Sequence, residues 1–477
     1  MGALSGGKCY QYIHIIAREM RTLGILIAFV VLSQTLSAQA NRWWHVGGNI
    51  RLNFATNPPT VTTGGCINTP EGCASISDAA GNFLFATDGV TVFDRNCVIM
   101  ANGTLLSGGA SSTQSAIIVQ NPLLSNIYYI FTAAQDAGAN GVCYSEVNMS
   151  LNSGFGAVTT TKNVNLSLGL PMSEKLTTSL HCNGQDVWVI SKRWQSNGYM
   201  AWLVTGMGVT LVPVQSFTGF TPNTPSGVSY GQLKASPSGT KIAAAFYGFA
   251  GQYGNTAEIC DFNKATGVVS GSISLGTLTG AYGIEWSPNG EIVYLATNQG
   301  LLYQWQVCAS NIPATRVLIA NVGPFFGSMQ LTPYNEILLA KGTATRHAVI
   351  RQPNVPGLGC LFSDSYYTLP AGSRMGLPNF RPEFIFQDPL AYNTNDITCF
   401  TFQFISPPET CTSEQVISYL WDFGDGTTST LANPIHNFLS SAPRTVTLDI
   451  FYQCRTLTLS SVVNPLGGNF GGLIFMN

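Results

Sequence analysis

Charge is what this sequence has least of. Only 9% of its 477 residues are Asp, Glu, Lys or Arg, against roughly 25% in an ordinary soluble domain. Ser, Thr, Asn, Gln and Gly must therefore cover the surface, which is common in exported all-β proteins and unusual in cytosolic enzymes. With 21 basic and 23 acidic residues, there is no basic face for nucleic acid and no acidic tail. Histidine is also scarce. Beyond the leader only His45, His181, His347 and His436 remain, far apart, with no HExxH and no paired spacing. A Gly-x-Ser-x-Gly elbow, a P-loop and a CxxC pair are all missing. No catalytic, cofactor-binding or metal-binding residue is assigned on this basis. Long hydrophobic runs are lacking too. The run from Leu23 to Leu32 is far short of the roughly 20 residues that a membrane span needs.

That run has another reading. Arg18 and Arg21 precede it, and Ser37-Ala38-Gln39-Ala40 follows. A charged start, a short apolar stretch and an Ala-x-Ala site make a secretory signal over residues 1–40, with Met20 an alternative true start. An N-terminal membrane anchor is the competing reading. Of the 12 Cys, Cys9 belongs to the leader, so an odd number remains in an exported chain. At least one is then free or bonded between chains. Cys143, Cys260 and Cys308 sit inside apolar strand patterns and read as small buried hydrophobes.

What is present is a repeat. Turns of one kind, Ser77-Asp78-Ala79-Ala80-Gly81-Asn82, Ser236-Pro237-Ser238-Gly239, Ser287-Pro288-Asn289-Gly290 and Thr332-Pro333-Tyr334-Asn335, lead into very apolar strands. Those strands are Phe83–Thr87, Lys241–Phe246, Ile292–Thr297 and Ile337–Ala340; Ile127–Thr132 and Asp186–Ser191 belong to the same series. Pro presets the first corner of such a turn and Gly or Asn supplies the reversal. The spacing, about 45–60 residues, is that of propeller blades, and residues 41–390 show no helical period. Six full units leave Arg42–Phe54 at the front and Asn379–Phe386 at the back. A seventh blade built from both ends would bury two open edges. The expectation is an all-β fold, a β-propeller over 41–388 with seven blades favoured over six.

Gly72–Asp94, Ser112-Thr113-Gln114-Ser115-Ala116-Ile117-Ile118-Val119 and Gly376-Leu377-Pro378-Asn379-Phe380 resemble the propeller of exported Bacteroidota proteins in which a PKD domain follows the ring. The following segment agrees. Tyr419-Leu420-Trp421-Asp422-Phe423-Gly424-Asp425-Gly426-Thr427 and Asn433-Pro434-Ile435-His436-Asn437-Phe438 are close to the signature of PKD domains, small Ig-like β-sandwiches. This places such a domain at 389–465 and a tail at 466–477. Phe400, Phe402 and Phe404 alternate on one sheet face, and Trp421 and Phe423 are expected to point into the sandwich. Ala442-Pro443-Arg444 departs from the family's Ala-Gly-Thr-Tyr. One disulfide among Cys399, Cys411 and Cys454 is expected, Cys399–Cys454 being one of the choices. The resemblance implies a cell-surface or secreted location, with the periplasm as an alternative. Family members usually add a C-terminal sorting domain for type IX secretion; none is visible before Asn477, which leaves anchoring open.

Two groups are candidates for chemistry. Glu71, Asp78, Asp88 and Asp94 could hold calcium or carbohydrate at the rim, but Asp in turns caps backbone N–H groups, and that is the favoured reading. Asp422 and Asp425 carry the same ambiguity. Trp188, Trp194, Tyr199 and Trp202 could stack on sugars, yet at strand spacing such residues are more often core. The expected function is a binding or scaffold protein that uses propeller loops and a PKD module for protein or glycan ligands, without a cofactor (calcium being the one exception weighed). The alternative is a polysaccharide- or peptide-degrading enzyme, which would need carboxylates converging on the propeller funnel. A structural part of a gliding or secretion apparatus is a third reading.

Overall fold

An apolar run ending in a tight polar turn buries its backbone by pairing with the next run, and this chain repeats that unit around a ring. The computed structural model describes residues 40–222, 229–248, 255–323, 325–382, 392–398, 400–409, 411 and 413–465. Residues 1–39 of the expected signal, the tail 466–477 and Cys399 lie outside them. Two compact units divide at Gln387 and Asp388.

The first unit contains seven antiparallel sheets among its described residues. Blade 1 holds Trp43–Val46, Ile50–Asn53 and Thr60–Thr63, and blade 2 holds Ala74–Ser77, Phe83–Thr87 and Val92–Asp94. Blade 3 starts with Ala116–Gln120, blade 4 with Thr177–Leu180 and blade 5 with Leu233–Ala235. Blade 6 starts with Ala281–Trp286 and blade 7 with Phe326–Leu331. All six strands read from the repeat become the second strand of blades 2 to 7. Gly239 and Gly290 take φ of +73° at their turns and Asn335 takes +61°, the left-handed corner a hairpin reversal requires.

Seven hydrophobic clusters join successive blades, and the last closes the ring. Trp44, Leu52 and Phe54 of blade 1 pack with Leu338 and Val349 of blade 7 and with Leu377 and Phe380. The closing segment lies between blades 7 and 2 and packs against blade 1. Ser328 N–H donates to Met375 O, Asn379 N–H donates to Cys73 O, and Cys73 bridges Pro378 in parallel. Segments from both chain ends thus meet at the blade 1 position. The expected sharing of strands between Arg42–Phe54 and Asn379–Phe386 is not seen among the described residues: the sheet of blade 1 holds Trp43–Val46, Ile50–Asn53 and Thr60–Thr63, and residues 383–386 are not described. Gly376 permits the closure, because a Cβ there would meet Glu71 O at 1.7 Å.

The seam between blades 1 and 2 has the smallest core, with Ile67, Cys73 and Ala86 its buried residues. It is also where a Cys66–Cys97 disulfide ties the chain after blade 1 to the chain after blade 2. Cys143 and Cys260 are buried free thiols, as their strand patterns suggested. Cys308 is not; it is exposed and disulfide-bonded, because it falls just past the strand Leu301–Gln306.

The second unit is a two-sheet sandwich. One sheet orders Asn393–Asp396, Thr401–Ile405 and Ile435–Asn437; the other orders Thr428–Ser429, Ser418–Asp422, Arg444–Phe451 and Thr456–Val463. Phe402, Phe404, Trp421, Phe423 and Phe438 form its core with Val446, Leu448 and Ile450. Phe400 is only half-buried, since it precedes the strand. His436 stacks on Phe423 at 4.0 Å and pairs through Nε2 with Asp425 Oδ2 at 2.8 Å. Cys411 and Cys454 are both disulfide-bonded.

Candidate functional site

The first strands of the blades line the ring axis, so their unpaired edges face the channel and need partners. Side chains supply them. Gln114 accepts at Oε1 from the N–H groups of Leu176 and Leu233 and donates through Nε2 to both carbonyls. Gln232 accepts from Ile284 and Met329 N–H and donates to Met329 O. Asn379 donates across the axis to Leu176 O. The axis is thus bonded from blade to blade by amides that only backbone edges can satisfy.

Above this layer the first strands begin, and here side chains from distant segments meet. Glu71, Thr113, Glu174 and Tyr230 each stand three positions ahead of a blade's first strand. The Glu174 carboxylate is completely buried. It accepts from Thr113 N–H at 2.8 Å, from Thr113 Oγ1 at 3.1 Å and from Asp136 N–H at 2.6 Å. Glu174 thereby fixes the loop between the second and third strands of blade 3, and Asp136 on that loop accepts a hydrogen bond from the Tyr230 hydroxyl. Burial raises the Glu174 carboxyl above its usual range, against the donors that hold it.

Glu71 completes the floor. Burial, then the charges of Glu174 and Asp136, push its carboxyl up to about 8. The hydroxyls of Ser111 and Tyr282 face it and oppose that shift in part. Tyr282 is 2% exposed, and its hydroxyl lies against Glu71 and Thr113 without reaching good hydrogen-bond geometry to either. Three tyrosines line the same end. Tyr230 lies 5.9 Å from Tyr247, which lies 6.4 Å edge-on from Tyr282. Asn298 Nδ2 holds the Tyr247 hydroxyl at 2.8 Å. The buried cation nearby, Lys175, is already engaged by Ser229 O and Tyr230 O at 2.8 and 2.7 Å. Burial lowers its amine to about 7.

The other acidic candidates go elsewhere. Asp78 accepts from Ala80 and Asn82 N–H, Asp88 from Val90 and Thr91 N–H, and Asp94 from Asn96 and Val98 N–H. They cap three separate turns of blade 2, as the turn reading expects, and Glu71 does not join them. Asp422 caps Gly424 and Asp425 caps Thr427. Trp188, Tyr199 and Trp202 are core, while Trp194 is half-buried in the loop after the second strand of blade 4. Tyr199 donates at 2.7 Å to Glu258, whose carboxylate pairs with buried Lys192 at 3.1 Å.

Among the described residues, the group of metal-ligand types close enough to share one ion is His45 with Cys66 and Cys97. Those two sulfurs are bonded to each other, which removes the thiolates a metal would need. His45 is occupied as well: its Nδ1 accepts from Cys66 N–H at 3.0 Å.

No family model matches this chain. A stretch of 69 residues, 14% of the chain, is 38% identical to a microbial collagenase of Vibrio alginolyticus, and covers 8% of that protein. The PKD1 domain of a Vibrio cholerae metalloprotease is similar over 16% of this chain and 91% of its own length, at 22% identity and a TM-score of 0.14. The Dos1 propeller is similar over 68% of this chain and 73% of its own, at 12% identity and a TM-score of 0.40. The architecture rests on the seven sheets of the ring and the two of the sandwich. Among the described residues no helix is long and apolar enough to cross a membrane.

Proposed function

We propose that this chain is an exported binding or scaffold protein, at the cell surface or secreted, whose propeller receives its ligand in the funnel above the amide-bonded axis. One observation carries the reading. Glu71, Asp136, Glu174 and Tyr230, from four separate segments, converge at one end of the ring, over a channel closed by Gln114, Gln232 and Asn379. The amide layer crosses the axis beneath these groups. The PKD-type sandwich adds a second interaction module or a spacer. Binding of the chain from Asn41 to glycan and peptide arrays, with and without calcium, tests the reading. A selective, saturable signal weakened by Asp136→Asn is expected. Silence on both arrays, or a signal indifferent to that change, overturns it.

The same convergence favours a second reading, a hydrolase. A carboxyl held protonated near neutral pH in the field of another carboxylate is the pairing glycosidases use, and Glu71, raised by burial and by the charges of Glu174 and Asp136, offers it. Turnover of polysaccharide or peptide substrates that disappears in Glu71→Gln would establish this reading. Turnover unchanged in that variant would exclude Glu71 as its acid.

A further inference from the structure

We infer that the funnel floor is a cage for an organic cation, the side-chain ammonium or guanidinium of a basic residue on a partner polypeptide. This rests on the reading of the funnel as the binding face and specifies its ligand. The acids alone would not distinguish a metal from an organic cation; the tyrosines and the spacing do. Half-buried Tyr230 stands beside Asp136 with buried Tyr247 and Tyr282 in series behind it, and aromatic rings attract organic cations. Among the described residues Glu71, Asp136 and Glu174 do not form a group close enough to share one metal ion. A larger, diffuse cation with several donors suits this spread better.

The donors and acceptors also match. Glu174 already accepts three hydrogen bonds from Thr113 and Asp136, so its carboxylate is spent on holding the loop. Asp136 is exposed and accepts the Tyr230 hydroxyl at Oδ1. The buried Tyr282 hydroxyl faces Glu71 but reaches no hydrogen bond of good geometry, a strained polar group of the kind native interiors rarely keep. Lys175, the cation that could neutralise the floor from within, donates instead to Ser229 and Tyr230 carbonyls. An incoming ammonium restores the balance: it supplies donors to Glu71 and Asp136 and lets Tyr282 donate to an ionised Glu71.

The test is calorimetric titration of the chain from Asn41 with acetyl-lysine methylamide, acetyl-arginine methylamide, uncharged acetyl-norleucine methylamide, putrescine and calcium chloride. The lysine and arginine probes should bind saturably and the norleucine probe should not. Asp136→Asn should weaken both cationic probes about tenfold or more, the loss expected when a charged acceptor is removed. Glu71→Gln, which relieves repulsion in the empty floor, is the second variant and should weaken them while leaving the chain folded. Equal binding of norleucine, cation binding indifferent to both variants, or calcium binding abolished by Asp136→Asn would each overturn the cage. Putrescine binding more tightly than both amino-acid probes would overturn the polypeptide source. An array ligand that lacks a cation yet needs Asp136 would sink the cage while leaving the funnel as the binding face.

Discussion

The side-chain amides of Gln114 and Asn379 donate to the same acceptor, the backbone carbonyl of Leu176, at 2.9 and 2.8 Å. One contact therefore ties blade 3, blade 4 and the segment that closes the ring. Gln114 also accepts two backbone N–H groups, and buried donors left without partners cost about 1–3 kcal/mol each. Gln114→Ala should thus destabilise the propeller by about 2–4 kcal/mol, and Asn379→Ala by about 1 kcal/mol, on the same principle. Denaturant midpoints of the two singles and the double would measure their coupling, expected to be about 0.5 kcal/mol or more for groups that share a partner. Strict additivity would show that the shared carbonyl does not link them.

Lys192 and Glu258 form a buried pair, 0% and 2% exposed at their side chains. Glu258 is further held by Tyr199, Phe220 N–H and Ser272. Burial lowers the Lys192 amine, and Glu258 opposes that shift. Lys192→Met should cost about 3–5 kcal/mol, because it strands a buried carboxylate, whereas replacing both partners by apolar residues should cost less. Thermal melts of the single and double variants decide; a double worse than the single would contradict this account.

Much of the fold was legible because its carriers are local. Phe83–Thr87 or Ile292–Thr297 can be read as buried strands from their own side chains, and Trp421-Asp422-Phe423-Gly424-Asp425-Gly426 declares its hairpin and core within a few residues. The floor of the funnel was not legible that way. Nearness in sequence groups Glu71 with Asp78, Asp88 and Asp94, yet its carboxyl feels the charges of Glu174 and Asp136 from other blades. Asp136, Glu174, Tyr230, Tyr247 and Tyr282 are each unremarkable in their own segments. A signal existed: aligning the blades on their first strands puts Glu71, Thr113, Glu174 and Tyr230 in one column. Cys308 misled for the opposite reason, being a few positions past the strand whose pattern it seemed to share.

The Cys66–Cys97 bond crosses the seam with the smallest core. Removing it by Cys97→Ser should cost about 2–4 kcal/mol, the usual worth of such a closure. The loss should be local first. Hydrogen exchange should speed up at the strands of blades 1 and 2 before those of blades 4 to 6, and uniform acceleration around the ring would argue against a weak seam.

Two histidines make the propeller acid-sensitive. His347 is buried between the Tyr367 hydroxyl and Ser373 Oγ, at 3.1 and 2.8 Å, and burial lowers its ring to about 3. Burial, then Arg51, does the same to His45. In both cases the unfolded chain binds the proton more readily, so stability is intact above pH 6.5 and falls as pH drops toward 3. Replacing His347 by Gln, which keeps a donor and an acceptor, should flatten part of that slope in denaturant midpoints taken from pH 7 to pH 4. An unchanged slope would show that His347 is not kept neutral by the fold.

Glu71 works with the opposite sign. Its carboxyl is raised from an ordinary 4.5 to about 8, by burial first and then by Glu174 and Asp136. The folded chain therefore holds this proton more tightly than the unfolded one. The stabilisation is fully present below pH 4.5, shrinks as pH rises and is gone once pH passes about 8. Glu71→Gln carries no such proton, so its stability relative to the parent should climb between pH 5 and pH 8 and level off beyond. Gln also spares the floor a third negative charge, which predicts a variant more stable than the parent at pH 8.5. Melting temperatures across that range give the answer. A variant less stable than the parent at every pH would mean that Glu71 is held ionised by a partner, and the floor could not then be the electron-rich site described here.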